Sequence, residues 1–80
     1  MRKFKAKIAD NFEYEWLKRT AIMEDVDIAL IIGLYSGTAL TDLCNRISGK
    51  TVTLTEDNGL VCEEQDDNFI IPRSLYTEVL

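Results

Sequence analysis

Thr51-Val52-Thr53-Leu54-Thr55-Glu56-Asp57-Asn58-Gly59-Leu60-Val61-Cys62-Glu63-Glu64 reads as two strands about a tight turn. Thr51 to Thr55 is rich in β-branched residues. Asn58-Gly59 supplies both positive-φ positions of a type I′ turn, and Leu60 to Glu64 returns. Downstream, a second acidic turn over Gln65 to Asn68 leads to Phe69-Ile70-Ile71, a third strand of this region that Pro72 ends. Ser74 is placed to cap a short terminal helix containing Leu75, Tyr76 and Val79.

Upstream, Lys3 to Ile8 alternates strictly, with three lysines on one face and Phe4, Ala6 and Ile8 on the other. Phe12 to Trp16 alternates as well. Folded about Asp10, the two segments pair Lys7 with Glu13, Lys5 with Glu15 and Phe4 with Trp16, which predicts a hairpin. The competing reading is a helix from Asp10 with Glu13 completing a capping box. From Thr20 the period becomes helical through Ala21, Ile22, Val26, Ala29, Leu30, Gly33 and Leu34. The stripe widens until the second half, up to Tyr35, is apolar nearly all round, which predicts a helix buried on most sides; the competing reading makes Ile28 to Leu34 a central strand. Ser36-Gly37 breaks the chain. Thr38 then caps a second helix, Ala39 to Ile47, with Leu40, Leu43, Cys44 and Ile47 on one face. The expected order is β-β-α-α-β-β-β: one α+β domain over residues 1–80, an antiparallel sheet with two helices packed on one face.

Residues 29–43, Ala-Leu-Ile-Ile-Gly-Leu-Tyr-Ser-Gly-Thr-Ala-Leu-Thr-Asp-Leu, resemble the helix–turn–helix stretch of the tyrosine recombinase catalytic domain. Ala39 stands where that family has its first catalytic arginine. The following hairpin lacks the family's lysine, and nothing downstream supplies its other catalytic groups. The resemblance implies an inactive relic.

Eighty residues with 46% apolar content give a folded domain with a small core, and a second copy is one way to cover a leftover apolar face. The net charge of −5 is uneven: residues 1–50 sum to +1 and residues 51–80 to −6. Six of the fourteen acids, Glu56, Asp57, Glu63, Glu64, Asp66 and Asp67, lie within twelve residues. They form the candidate binding surface for a protein partner with a basic face, or they only solubilise hairpin tips and edges. Carboxylates along an edge can also imitate a phosphate backbone. The leading expectation is therefore a small non-enzymatic protein that modulates or inhibits a larger partner, as accessory proteins of phages and mobile elements do. The alternative is a homo-oligomerising structural module.

Other chemistries find little footing. The chain has no histidine, so its serines, threonines and cysteines lack the usual base, and no catalytic residue is assigned. Asp57-Asn58-Gly59 and Asp66-Asp67-Asn68 offer oxygen ligands but not EF-hand spacing, so no metal and no cofactor is expected. Arg2, Lys3, Lys5 and Lys7 beside Phe4 would suit a single strand of nucleic acid, but the chain is acidic overall and no direct nucleic-acid contact is expected. Tyr14, Trp16, Tyr35 and Tyr76 are expected in the core or an interface. Cys44 and Cys62 are expected as reduced thiols, and the sequence leaves open whether they meet. No targeting segment or membrane span is visible, and a cytoplasmic location is expected.

Overall fold

The computed structural model describes residues 1–80. Its elements are β1 (Arg2–Ile8), α1 (Phe12–Glu24), α2 (Ile28–Tyr35), α3 (Ala39–Ile47), β2 (Thr51–Asp57), β3 (Leu60–Glu63), a 3-10 turn (Arg73–Leu75) and β4 (Tyr76–Glu78). The four strands form one antiparallel sheet in the order β3-β2-β1-β4. The fold is α+β.

The sheet's two faces follow from register, because directly opposed residues share a face. Phe4 opposes Leu54, Ala6 opposes Val52, and Ile8 opposes Tyr76. These side chains face α1 and α3. Phe12, Leu17 and Ala21 of α1 and Leu40, Leu43, Cys44 and Ile47 of α3 close one continuous core with them. Lys3, Lys5 and Lys7 line the opposite, open face with Thr55, Thr53 and Thr51 directly across. The alternation read over Lys3 to Ile8 is thus a true strand pattern.

The hairpin centred on Asn58-Gly59 forms as expected. Asn58 has φ 55° and Gly59 φ 81°, the positive values a type I′ turn requires. The α3 helix also matches its predicted bounds, although Thr38 flanks it without a side-chain cap.

Four expectations are corrected. Phe12 to Trp16 is helix, not the return strand of a hairpin. Five alternating residues also place Phe12 and Trp16 one helical turn apart. Here that turn puts Phe12 in the core and Glu13 and Glu15 at the positive end of the helix dipole. The partners of β1 come instead from β2 and β4, far away in sequence. The capping box of the competing reading is also absent, since Asn11 rather than Asp10 begins the helix and its side chain caps no backbone N–H.

Second, the helix from Thr20 to Tyr35 is two helices. Asp25 adopts the left-handed conformation at φ 55°, ψ 46° and ends α1. Asp27 then starts α2, its carboxylate accepting the Ala29 N–H at 2.8 Å. Third, Phe69 to Ile71 is irregular chain beside the edge of the sheet, held by the Ile71 N–H donating to the Val61 carbonyl at 2.8 Å. Fourth, the terminal helix is a single 3-10 turn followed by β4, and Ser74 accepts from Arg19 instead of capping. Pairing with the otherwise open edge of β1 decides this last case, since three residues of strand satisfy backbone groups that a frayed helix end would leave to water.

Candidate docking surface

The six clustered acids do not share one face of the sheet. Antiparallel pairing divides them between the two faces of the sheet, and intramolecular partners engage most of them. Glu56 lies 3.5 Å from Arg2. Glu64 lies 3.3 Å from Lys3 on the open face. Glu63 faces the helices, is only 4% exposed, and is bound by Arg46 of α3 and by the Gln65 N–H at 2.6 Å. Asp66 accepts the Asn68 N–H at 3.1 Å in a local turn. Asp57 and Asp67 remain exposed without an ion pair.

The basic strand is likewise divided. Lys7 pairs with Asp10 at 3.5 Å rather than with Glu13, and Lys5 has no ion pair. Arg2 stacks 4.3 Å above Phe4 on the other side of the strand and also binds Glu78. The lysines and the aromatic ring therefore lie on opposite faces, so they do not interleave. No group of three acidic or cysteine side chains is arranged to hold a metal ion.

Both thiols are free. Burial, helped by Glu13, pushes the Cys44 thiol up to about 12, and burial with Asp67 and Asp66 nearby raises that of Cys62. Each is held in its protonated, weakly nucleophilic form.

A groove of about 490 Å³ runs between α1, the end of α2 and the segment around Phe69. Trp16 forms its floor and donates its Nε1–H to the Ile70 carbonyl at 3.0 Å. Tyr35 and Phe69 meet the indole edge-on, at centroid distances of 5.3 and 5.7 Å. These rings pack against one another and against the core, so the groove is walled by the core's edge.

The feature that sequence reasoning misjudged is α2. Ile28-Ala29-Leu30-Ile31-Ile32-Gly33-Leu34-Tyr35 contains no charged side chain, and it was expected to be buried on most sides. Only Ile31 is buried. Ile28 and Tyr35 are half-buried, and Ala29, Leu30, Ile32, Gly33 and Leu34 are exposed. The helix packs on α1 and α3 and crosses α3 at 91°. Its neighbours continue the apolar surface: Ile22 and Val26 share a shallow depression with Ile28 at its N-terminal end. A signal for this was present. A core drawn from eighty residues is too small to surround an all-apolar helix as well as close a sheet.

No single helix is long and apolar enough to cross a membrane. No known protein family, curated protein or solved structure matches the chain. The likeness of residues 29–43 to the recombinase stretch therefore rests on those residues alone.

Proposed function

We propose that this chain is a small interaction protein that works by docking the outward face of α2 against another polypeptide, and that it carries out no reaction of its own. One observation carries the reading: an eight-residue helix without a charged side chain has a single buried residue. Contiguous exposed apolar surface of this kind is rare on soluble domains except where something covers it. Glu24, Asp25 and Asp27 stand exposed at the N-terminal end of that face with no ion pair. They would steer approach and select against an anionic surface, a task first assigned to the hairpin acids. Modulating or inhibiting a larger partner is a role that a chain of this size fills by occupying one surface.

Site-specific photo-crosslinking in the native host tests this. A crosslinking residue at Leu34 is expected to trap a covalent adduct, and one at Asp57 is expected to trap none. Adducts from Asp57 with none from Leu34 would return the acidic hairpins to first place and overturn the α2 reading.

A further inference from the structure

We infer that β4 pairs antiparallel with β4 of a second copy of this chain, joining the two sheets into one about a two-fold axis perpendicular to them. The two edges of the sheet are unlike. At the β3 edge the chain closes on itself: the Val61 carbonyl accepts the Ile71 N–H at 2.8 Å and the Glu63 carbonyl accepts the Asp66 N–H at 3.2 Å. At the other edge no strand lies beyond β4. There the Val79 N–H donates to the Lys5 carbonyl and the Ala9 N–H donates to the Leu75 carbonyl. Leu75, Thr77 and Val79 therefore turn their backbone groups to β1, and alternation aims those of Tyr76 and Glu78 outward. The usual protections of an edge are thin here. Tyr76 to Val79 includes no lysine and no proline, and its one charge, Glu78, is bound by Arg2. Outward peptide groups along an extended chain are complementary to one kind of occupant, another strand.

Register and charge make that strand a second β4. Glu78 opposite Glu78 would bring like charges together across the two-fold axis. Tyr76 opposite Tyr76 would set Glu78 against Ser74, in the 3-10 turn, where no strand continues. Tyr76 opposite Glu78 has neither fault. Both outward residues of each copy then exchange N–H···O=C bonds, and Thr77 meets Thr77 at the centre.

Opposed residues share a face, so this register lays Glu78 of the second copy beside Tyr76 and Arg73 of the first. The Arg73 guanidinium lies 4.8 Å from the Tyr76 ring centroid and has no carboxylate partner in its own chain. It donates to the Tyr76 carbonyl at 2.9 Å, and that oxygen keeps a second lone pair for an incoming N–H. Glu78, bound by Arg2 on one oxygen, keeps the other for Arg73. The edge thus fits itself in backbone, register and charge, as a two-fold interface requires. With three residues of strand per copy, the pair belongs to the weak, concentration-dependent class. It uses no residue of α2, so it stands apart from the docking reading above.

Disulfide trapping of the full chain tests the inference, in a Cys62→Ser background that leaves only the buried Cys44. In the paired strands the two Thr77 Cα atoms lie about 4.5 Å apart, within reach of a disulfide. Val79 is also exposed, but its two copies lie roughly 14 Å apart along the strands. In a buffer of oxidised and reduced glutathione, Thr77→Cys is expected to give at least tenfold more covalent dimer than Val79→Cys. Glu78→Pro removes an outward N–H and leaves the bonds to β1 intact, so adding it is expected to lower that yield at least tenfold. Arg73→Glu alters an exposed side chain that the fold does not need, and is expected to lower the yield at least threefold. Circular dichroism confirms that each variant is folded. Equal trapping at the two cysteine positions, no dimer from Thr77→Cys, or a yield that both Glu78→Pro and Arg73→Glu leave unchanged overturns the inference.

Discussion

Replacing Arg46 by methionine removes the charged partner of a carboxylate that has almost no access to water. Glu63 lies on the helix side of β3 at 4% exposure, bound by Arg46 Nη1 on one oxygen and by the Gln65 N–H on the other. Breaking a fully buried pair by removing one partner costs about 3–5 kcal/mol, and an exposed pair contributes about 0–1 kcal/mol. The Arg46 side chain is 46% exposed, so this pair lies between those limits. The expected cost of Arg46→Met is about 1.5–3 kcal/mol, since methionine keeps most of the arginine stem's packing. Glu63→Gln should cost less, about 1 kcal/mol, because the half-exposed guanidinium it strands can turn to solvent. Combining the two should recover part of the Arg46→Met loss. Urea unfolding of the four proteins measures all of this, against a total stability of about 4–12 kcal/mol for a domain of this length. A cost for Arg46→Met below 0.5 kcal/mol, or one equal to that of Glu63→Gln, would refute the reasoning.

Three other outcomes follow from single positions. Gly49→Ala should destabilise by about 1–3 kcal/mol in the same assay, because the residue sits at φ 70° and a Cβ there would come within 2.6 Å of Asp10 Oδ1. Asp25→Gly should stabilise by up to about 1 kcal/mol, since glycine takes the left-handed conformation that ends α1 without a steric penalty. Cys44 should resist thiol reagents at pH 8 in the folded protein and react fully in denaturant. Its thiol is raised in the folded state, so the native protein holds a proton that the unfolded chain releases from about pH 9 upward, and stability should fall from there towards pH 12. Rapid labelling of Cys44 in the native state would contradict its burial.

The parts of the fold legible in the sequence are those whose signals are local and unambiguous. Asn58-Gly59 allows one turn, Lys3 to Ile8 alternates long enough to exclude a helix, and Leu40, Leu43, Cys44 and Ile47 fix the buried face of α3. What failed depended on distant partners. The five residues from Phe12 to Trp16 carry both periods, and only the arrival of β2 and β4 beside β1 leaves them free to be helix. Tyr76 to Glu78 become strand solely because β1 has an edge to fill. The geometry of the acidic cluster was illegible for a different reason. Six acids close in sequence suggested a surface, but alternation along β3 points Glu63 inward and Glu64 outward, and Arg46, Arg2 and Lys3 then bind three of the six. Hydrophobicity predicted correctly that α2 is a helix. It could not tell a helix buried in its own domain from one waiting for another chain.

The account turns on the outward face of α2 serving association rather than the fold of the single chain. The direct test is to change Leu30 and Leu34 together to glutamine and to measure, on that one variant, both its unfolding free energy and its binding of the partner polypeptide. The unfolding free energy should differ from that of the wild type by less than about 0.5 kcal/mol, the range of ordinary surface substitutions, while binding of the partner polypeptide is lost. A variant that loses about 2 kcal/mol or more of stability, or one that binds the partner as the wild type does, would contradict the account.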